Sequence, residues 1–210
     1  MKVEIFKKLP IMAIIRGIET SHLSPLIETV MESGLKTIEI TMNTQAAPEL
    51  IRRARKISNG KLTIGAGTVI QREDLSAALE AGAQFVVMPV CFPEIVTACA
   101  QRKIPVFPGA LTPKEIYEAW KAGATMVKIF PANRFGPPYF REIKGPFNGI
   151  DLLACGGVNP ENLADYFKCG ASAVTFGSSI FRKEWIESGK WDLIGEKIKA
   201  FVKAYEELKT

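Results

Sequence analysis

Short runs of β-branched and apolar residues alternate with amphipathic stretches along the whole chain. The runs at 11–16, 36–41, 62–68, 85–89, 104–107, 126–130, 151–155 and 173–177 have the length and composition of buried strands. The segments near 21–33, 45–58, 72–81, 92–102, 113–122, 138–144, 160–169 and 191–208 read as amphipathic helices. Strands that are apolar on both faces, separated by helices, predict a parallel sheet covered by helices. Gly34, Gly82, Gly123 and Gly170 each close a helix just before a strand, where a left-handed residue is wanted. Thr112-Pro113-Lys114-Glu115 predicts a capping box with Pro at the first helical position, and Asn159-Pro160-Glu161 repeats the theme. Eight such units in 210 residues with no linker predict one domain over 1–210, a compact (β/α)8 TIM barrel of the α/β class. The rival is an open doubly wound sheet. Its dinucleotide fingerprint fails, because Gly65-Ala66-Gly67 begins one but Ile70 takes the third glycine position.

Composition narrows the chemistry. The chain is 47% hydrophobic and 23% charged, ordinary for a soluble globular protein. No apolar run reaches the length of a membrane span, and Met1 to Lys8 contains neither an apolar signal core nor a small-residue cleavage site, so a cytoplasmic location with no membrane is expected. His22 is the one histidine, and it falls on the first helix or its cap, where no catalytic role is expected. Cys91, Cys99, Cys155 and Cys169 form no CxxC pair. Multi-histidine metal sites and dithiol redox motifs are therefore unsupported, and no metal or cofactor is expected. A net charge of +5 without a long basic run points away from nucleic acid and fits a small anionic substrate.

Two charges interrupt apolar strands. In Met126-Val127-Lys128-Ile129-Phe130, alternation puts Met126, Lys128 and Phe130 on one face and the Val/Ile pair on the other. The Val/Ile face should meet the helices, which sends Lys128 into the barrel. Desolvation lowers an amine's pKa and frees its lone pair for attack on a carbonyl. A Lys snorkelling from a strand end, or a structural ion pair, is the alternative. In Thr37-Ile38-Glu39-Ile40-Thr41, Glu39 falls on the face away from the Ile pair. It reads either as a structural partner of Lys128 or as an acid/base beside a nucleophile. Branched aliphatics normally fill a barrel's inner layers, which favours the second reading.

Arg16 closes the first strand, where its planar fork could hold a carboxylate or phosphate; a solvated loop Arg is the alternative. Gly156-Gly157 follows the seventh strand and Gly177-Ser178 follows the eighth. Turns in those two positions form the recurring phosphate site of such barrels. Gly65-Ala66-Gly67-Thr68 ends the third strand with a hydroxyl at the mouth, and Pro89, Pro108-Gly109 and Pro131 punctuate the fourth, fifth and sixth. Cys155 could also reach the mouth.

Taken together, Ile38-Glu39-Ile40-Thr41, Gly65-Ala66-Gly67-Thr68-Val69, Pro108-Gly109, Val127-Lys128-Ile129-Phe130-Pro131-Ala132, Gly145-Pro146-Phe147, Gly156-Gly157-Val158 and Gly177-Ser178 resemble the class I 2-keto-3-deoxy-6-phosphogluconate / 4-hydroxy-2-oxoglutarate aldolases across essentially the whole chain. The resemblance implies a (β/α)8 barrel, usually trimeric. It implies that Lys128 forms a Schiff base, Glu39 shuttles protons, Thr68 helps hold the pyruvate carboxylate, and Gly156, Gly157, Gly177 and Ser178 hold the phosphate. Arg16, Pro89 and Phe130 are expected among the substrate contacts. The implied reaction yields pyruvate and glyceraldehyde 3-phosphate, with cleavage of 4-hydroxy-2-oxoglutarate to pyruvate and glyoxylate as a possible second activity. Asn43 stands where many members have Arg, and Cys155 where many have Thr. With Ile15-Arg16-Gly17 and Phe135-Gly136-Pro137, Asn43 looks more like the branch acting on the 6-phosphogalactonate epimer. Two other readings stay open: a phosphosugar isomerase or epimerase barrel, and a non-catalytic barrel that binds sugar phosphates.

Overall fold

The structure is a computed structural model that describes residues 3–209. Met1 and Lys2, where the N-terminal reading begins, and Thr210, where the expected domain ends, lie outside the described residues. The strands are β1 (Ile11–Ile15), β2 (Thr37–Thr41), β3 (Thr63–Gly67), β4 (Val86–Val87), β5 (Val106–Phe107), β6 (Gly109–Ala110), β7 (Val127–Ile129), β8 (Leu152–Cys155) and β9 (Ala173–Phe176). Every pairing is parallel, in the order β5-β4-β3-β2-β1-β9-β8-β7-β6.

The two ends of that order, β5 and β6, are the halves of one strand, so the sheet closes into a barrel. The sequence pattern ends this fifth strand at 107. The structure carries it past Pro108, which has no N–H to offer a ladder. Before Pro108 the strand bonds to β4, with Met88 N–H donating to the Phe107 carbonyl at 3.1 Å. After it the strand bonds to β7, with Lys128 N–H donating to the Pro108 carbonyl at 2.8 Å. Gly109 permits the bend, since a Cβ there would sit 2.0 Å from the Pro89 carbonyl oxygen. Closure thus fixes the backbone of Lys128 directly.

The helices are α1 (Val3–Lys8), α2 (Leu23–Glu32), α3 (Ala47–Ser58), α4 (Arg72–Glu80), α5 (Pro93–Gln101), α6 (Pro113–Lys121), α7 (Gly136–Lys144), α8 (Leu163–Lys168), α9 (Lys183–Glu187) and α10 (Trp191–Glu206). The four glycines that close helices all have positive φ, and the capping box at Thr112 and Glu115 is formed in both directions. The Asn159 signal resolves differently. Its box partner is Asn162, by reciprocal N–H donation at 2.8 and 2.9 Å, and regular helix starts only at Leu163. Neither α1 nor α9 was legible in the sequence: each is a turn or so long and buries one side chain, Phe6 or Ile186, so neither carries a period.

Two apolar layers follow from strand alternation. Ile38, Ile40, Val127 and Ile129 face outward into a core with Leu26, Ile27, Leu50, Ile116 and Phe140. Inside the barrel, Met12, Phe85, Val87, Phe107, Met126, Leu153 and Ala173 pack with Phe6 of α1. The Phe6 and Phe85 rings each meet Phe107 edge-on, at 5.9 and 5.8 Å. Phe6 thereby plugs the end of the barrel at which the strands begin.

Candidate active site

At the opposite end the inward positions turn polar. Alternation carries β7 from Met126 in the apolar layer to Lys128 above it, and β2 from Thr37 to Glu39 and Thr41. Lys128 is 7% exposed and Glu39 is 1% exposed. Their backbones are held by register: Gly109 opposite Lys128, and Ile14 and Gly65 on either side of Glu39. Lys128 Nζ lies 5.2 Å from the centroid of the Phe130 ring, which stands at the mouth.

Glu39 Oε2 is buried with no hydrogen-bond partner. Among the described residues the ion pairs involve neither Glu39 nor Lys128. Burial raises the Glu39 carboxyl above its ordinary pKa, and the charges of Lys128 and then Arg16 pull part of the way back. The carboxyl therefore keeps its proton to a higher pH than an exposed Glu would. Gly67 makes the room: a Cβ there would lie 2.4 Å from Glu39 Oε1.

A cavity of about 690 Å³ opens above this pair. Arg16, Thr68, Pro89, Lys128, Phe130, Gly156, Gly157, Gly177 and Ser178 all line it. The structure therefore brings together all of the expected substrate contacts with Lys128, while Glu39 does not line the cavity wall. Arg16 Nη2 donates to Thr68 Oγ1 at a long 3.5 Å. Thr68 has φ +56°, a left-handed conformation that costs a β-branched residue about 1–3 kcal/mol. Cys155 lines the cavity too, whereas Asn43 is exposed and does not. His22 precedes α2 and its ring lies 6.2 Å from that of Trp191, away from the cavity.

The two glycine turns present backbone. Gly156 and Gly157 both have positive φ, and a Cβ on Gly157 would lie 2.5 Å from Asn133 Cβ. Among the described residues, the N–H groups of Gly156, Gly157, Ser178 and Ser179 have no acceptor within the chain. Donors of this kind at a barrel mouth suit an anion. No group of three His, Cys, Asp or Glu residues there or elsewhere among the described residues could hold a metal ion.

Several contributors were not read from the sequence. Thr44 Oγ1 accepts from Gly17 N–H at 2.9 Å and lies 3.0 Å from Thr41 Oγ1, tying the turn after Arg16 to the end of β2. The inward phase shared by Thr41 and Glu39 was the available signal. Asn162 Nδ2 donates to the Gly157 carbonyl at 3.0 Å, bracing the first glycine turn. Arg182 lines the cavity beyond the second turn; nothing local in the sequence distinguishes it from a solvated Arg.

Comparison with known proteins agrees with this geometry. The family described as "Aldolase: KDPG and KHG aldolase" matches residues 3–197. A 2-dehydro-3-deoxy-6-phosphogalactonate aldolase of Escherichia coli is 33% identical over 95% of this chain and 96% of its own length. A 2-dehydro-3-deoxy-phosphogluconate aldolase of Haemophilus influenzae is 31% identical over 95% of this chain and 94% of its own. The KDPG aldolase of Legionella pneumophila, solved with pyruvate captured as a covalent carbinolamine, superposes with a TM-score of 0.86 at 29% identity, over 94% of this chain and 96% of that one.

Proposed function

The chain belongs to the KDPG and KHG aldolase family, and we propose that it is a class I aldolase cleaving a 2-keto-3-deoxy-6-phospho sugar acid to pyruvate and glyceraldehyde 3-phosphate, with Lys128 as the amine and Glu39 as the proton carrier. The observation that carries this reading is a lone amine at the floor of a cavity lined with donors for an anion, beside a buried carboxyl whose Oε2 has no hydrogen-bond partner. Lys128 Nζ adds to the C2 carbonyl, and loss of water leaves an iminium whose positive charge accepts electrons. Glu39 takes the C4 hydroxyl proton, the C3–C4 bond electrons pass into the iminium, and the aldehyde departs. The enamine carbon C3 then regains a proton from Glu39, and water hydrolyses the imine to release pyruvate and the free amine. No step calls for a metal or organic cofactor. Arg16 with Thr68 takes the carboxylate, Pro89 and Phe130 wall the reacting carbons, and Gly156, Gly157, Gly177 and Ser178 take the phosphate.

The relatives named for the galactonate and gluconate forms support either epimer as substrate, and the family description supports 4-hydroxy-2-oxoglutarate as a second one. A homotrimer and a cytoplasmic location belong to the same reading. Tyr117 and Trp120, exposed on α6, offer apolar surface for assembly, and among the described residues no helix is long and apolar enough to cross a membrane. The aldolase relatives give no support to an isomerase or a non-catalytic binding barrel. Borohydride reduction in the presence of pyruvate should inactivate the enzyme and label Lys128 alone, and Lys128→Ala should lose nearly all turnover while keeping its fold. Labelling at another residue would overturn the assignment.

A further inference from the structure

The cavity wall beyond Ser178 carries a cation that the scheme above does not use. Arg182 follows the turn Gly177–Phe181, whose geometry is set by Ile180 and Phe181 N–H groups both donating to the Gly177 carbonyl at 2.9 and 3.0 Å. The Arg182 guanidinium is fixed twice. Its Nε donates to the Ser179 carbonyl at 3.3 Å, and its Cζ lies 4.6 Å from the centroid of the Trp185 ring on α9. A guanidinium stacked on one face and anchored through Nε has its Nη edge left to meet a ligand, and that edge matches two oxygens of a phosphoryl group. The unpaired N–H groups of Gly156, Gly157, Ser178 and Ser179 belong to the same cavity, and no Asp or Glu lines it. The other cavity arginine, Arg16, is turned toward Thr68 after β3.

We propose that Arg182, positioned by Trp185, binds the substrate's phosphoryl group and sets the preference for phosphorylated sugar acids over 4-hydroxy-2-oxoglutarate; this rests on the aldolase reading and extends it. Backbone N–H groups supply only partial charges to a dianion. A full positive charge in a pre-organised fork adds binding energy remote from the breaking bond, realised alike in ground and transition states, so its loss should appear in KM more than in kcat.

The test compares kcat/KM on a phosphorylated 2-keto-3-deoxy sugar acid with that on 4-hydroxy-2-oxoglutarate. Arg182→Gln should lower this ratio about 10- to 100-fold, the range for losing hydrogen bonds to a charged group. Arg182→Lys should recover part of it, because the charge returns without the planar stack. Trp185→Leu should lower it by less than Arg182→Gln does. A binding measurement independent of turnover uses Trp185 as reporter in a Trp120→Phe/Trp191→Phe background. Inorganic phosphate should change its fluorescence saturably, and Arg182→Gln should abolish that response. An unchanged substrate ratio in Arg182→Gln, or equal losses on both substrates, would overturn the proposal, as would a phosphate response that survives the substitution. Failure of the aldolase reading would look different: no borohydride trapping of pyruvate on Lys128, with the phosphate response intact.

Discussion

The two ends of this barrel are built from the same strands, one inward position apart, and they do opposite work. Where the strands begin, Met126, Phe85 and Phe107 close around Phe6 in an apolar layer with rings edge to face. Two residues further along β7 stands Lys128, and on β2 the inward position holds Glu39 with an orphaned oxygen. The lower layer gains stability from every buried carbon. The upper one spends some of it: a carboxyl desolvated without a hydrogen bond, a threonine at φ +56°, and glycines where side chains would otherwise pack. Strain and unsatisfied polarity gathered at one end of an otherwise well-packed barrel mark that end as the functional one.

Glu39→Gln breaks the comparison most sharply, since it should move activity and stability in opposite directions. Turnover should fall by roughly 10²–10⁴, the usual contribution of a general acid–base group. Stability should not follow. A carboxyl whose folded pKa is raised is favourable to the fold while protonated, and that advantage is lost as pH rises past its unfolded value, near 4.3 in model peptides, through the raised folded value. The neutral amide escapes this loss. Melting temperatures of the two proteins should therefore diverge in favour of Glu39→Gln as pH increases from about 4 to 8, and converge at the acid end. A variant that is less stable at pH 8 than at pH 4, relative to the parent, would show that Glu39 is a structural partner of Lys128.

Phe6→Ala addresses the other end. Phe6 is 2% exposed among apolar neighbours, and removing such a ring typically costs about 3–5 kcal/mol. Urea unfolding should show that loss, while kcat below the unfolding transition stays near that of the parent because no group near Lys128 moves. A fall in kcat as large as that in Glu39→Gln would mean that the plug transmits to the mouth.

How the two ends were legible in sequence differs as well. Lys128 and Glu39 stood out because a charge inside an apolar alternating run contradicts its surroundings, and alternation alone assigned both to the inner face. The glycine turns stood out through their position after the last two strands. Phe6 could not, because one buried side chain in a six-residue helix has no period to belong to. Arg182 could not either, since it acquires meaning only from the cavity, and the Thr41–Thr44–Gly17 tie shows in sequence only through the inward phase that Thr41 shares with Glu39. The split of the fifth strand was half visible: Pro108 announced a break, but only three-dimensional closure shows the chain changing partners there. Asn43 is the converse case, a residue that drew attention by its departure from a motif and that the structure leaves exposed, outside the cavity.

The smallest effect expected is at Asn162, which belongs to both economies at once. Its Oδ1 accepts from Asn159 N–H, closing the turn that leads into α8, and its Nδ2 donates to the Gly157 carbonyl. Asn162→Ala removes both arms and should cost about 0.5–1.5 kcal/mol of stability for each hydrogen bond lost. With the Gly157 carbonyl released, KM for the phosphorylated substrate should rise a few-fold. Asn162→Asp keeps the acceptor for Asn159 but sets a negative oxygen against the Gly157 carbonyl and beside the phosphate turn. It should lose less stability than Asn162→Ala yet discriminate less in favour of the phosphorylated substrate. If Asn162 only closed the turn before α8, the two variants would rank in the same order by melting temperature and by substrate preference. A reversed order is the signature of a residue that positions the turn, because the two measurements then read different arms of one side chain.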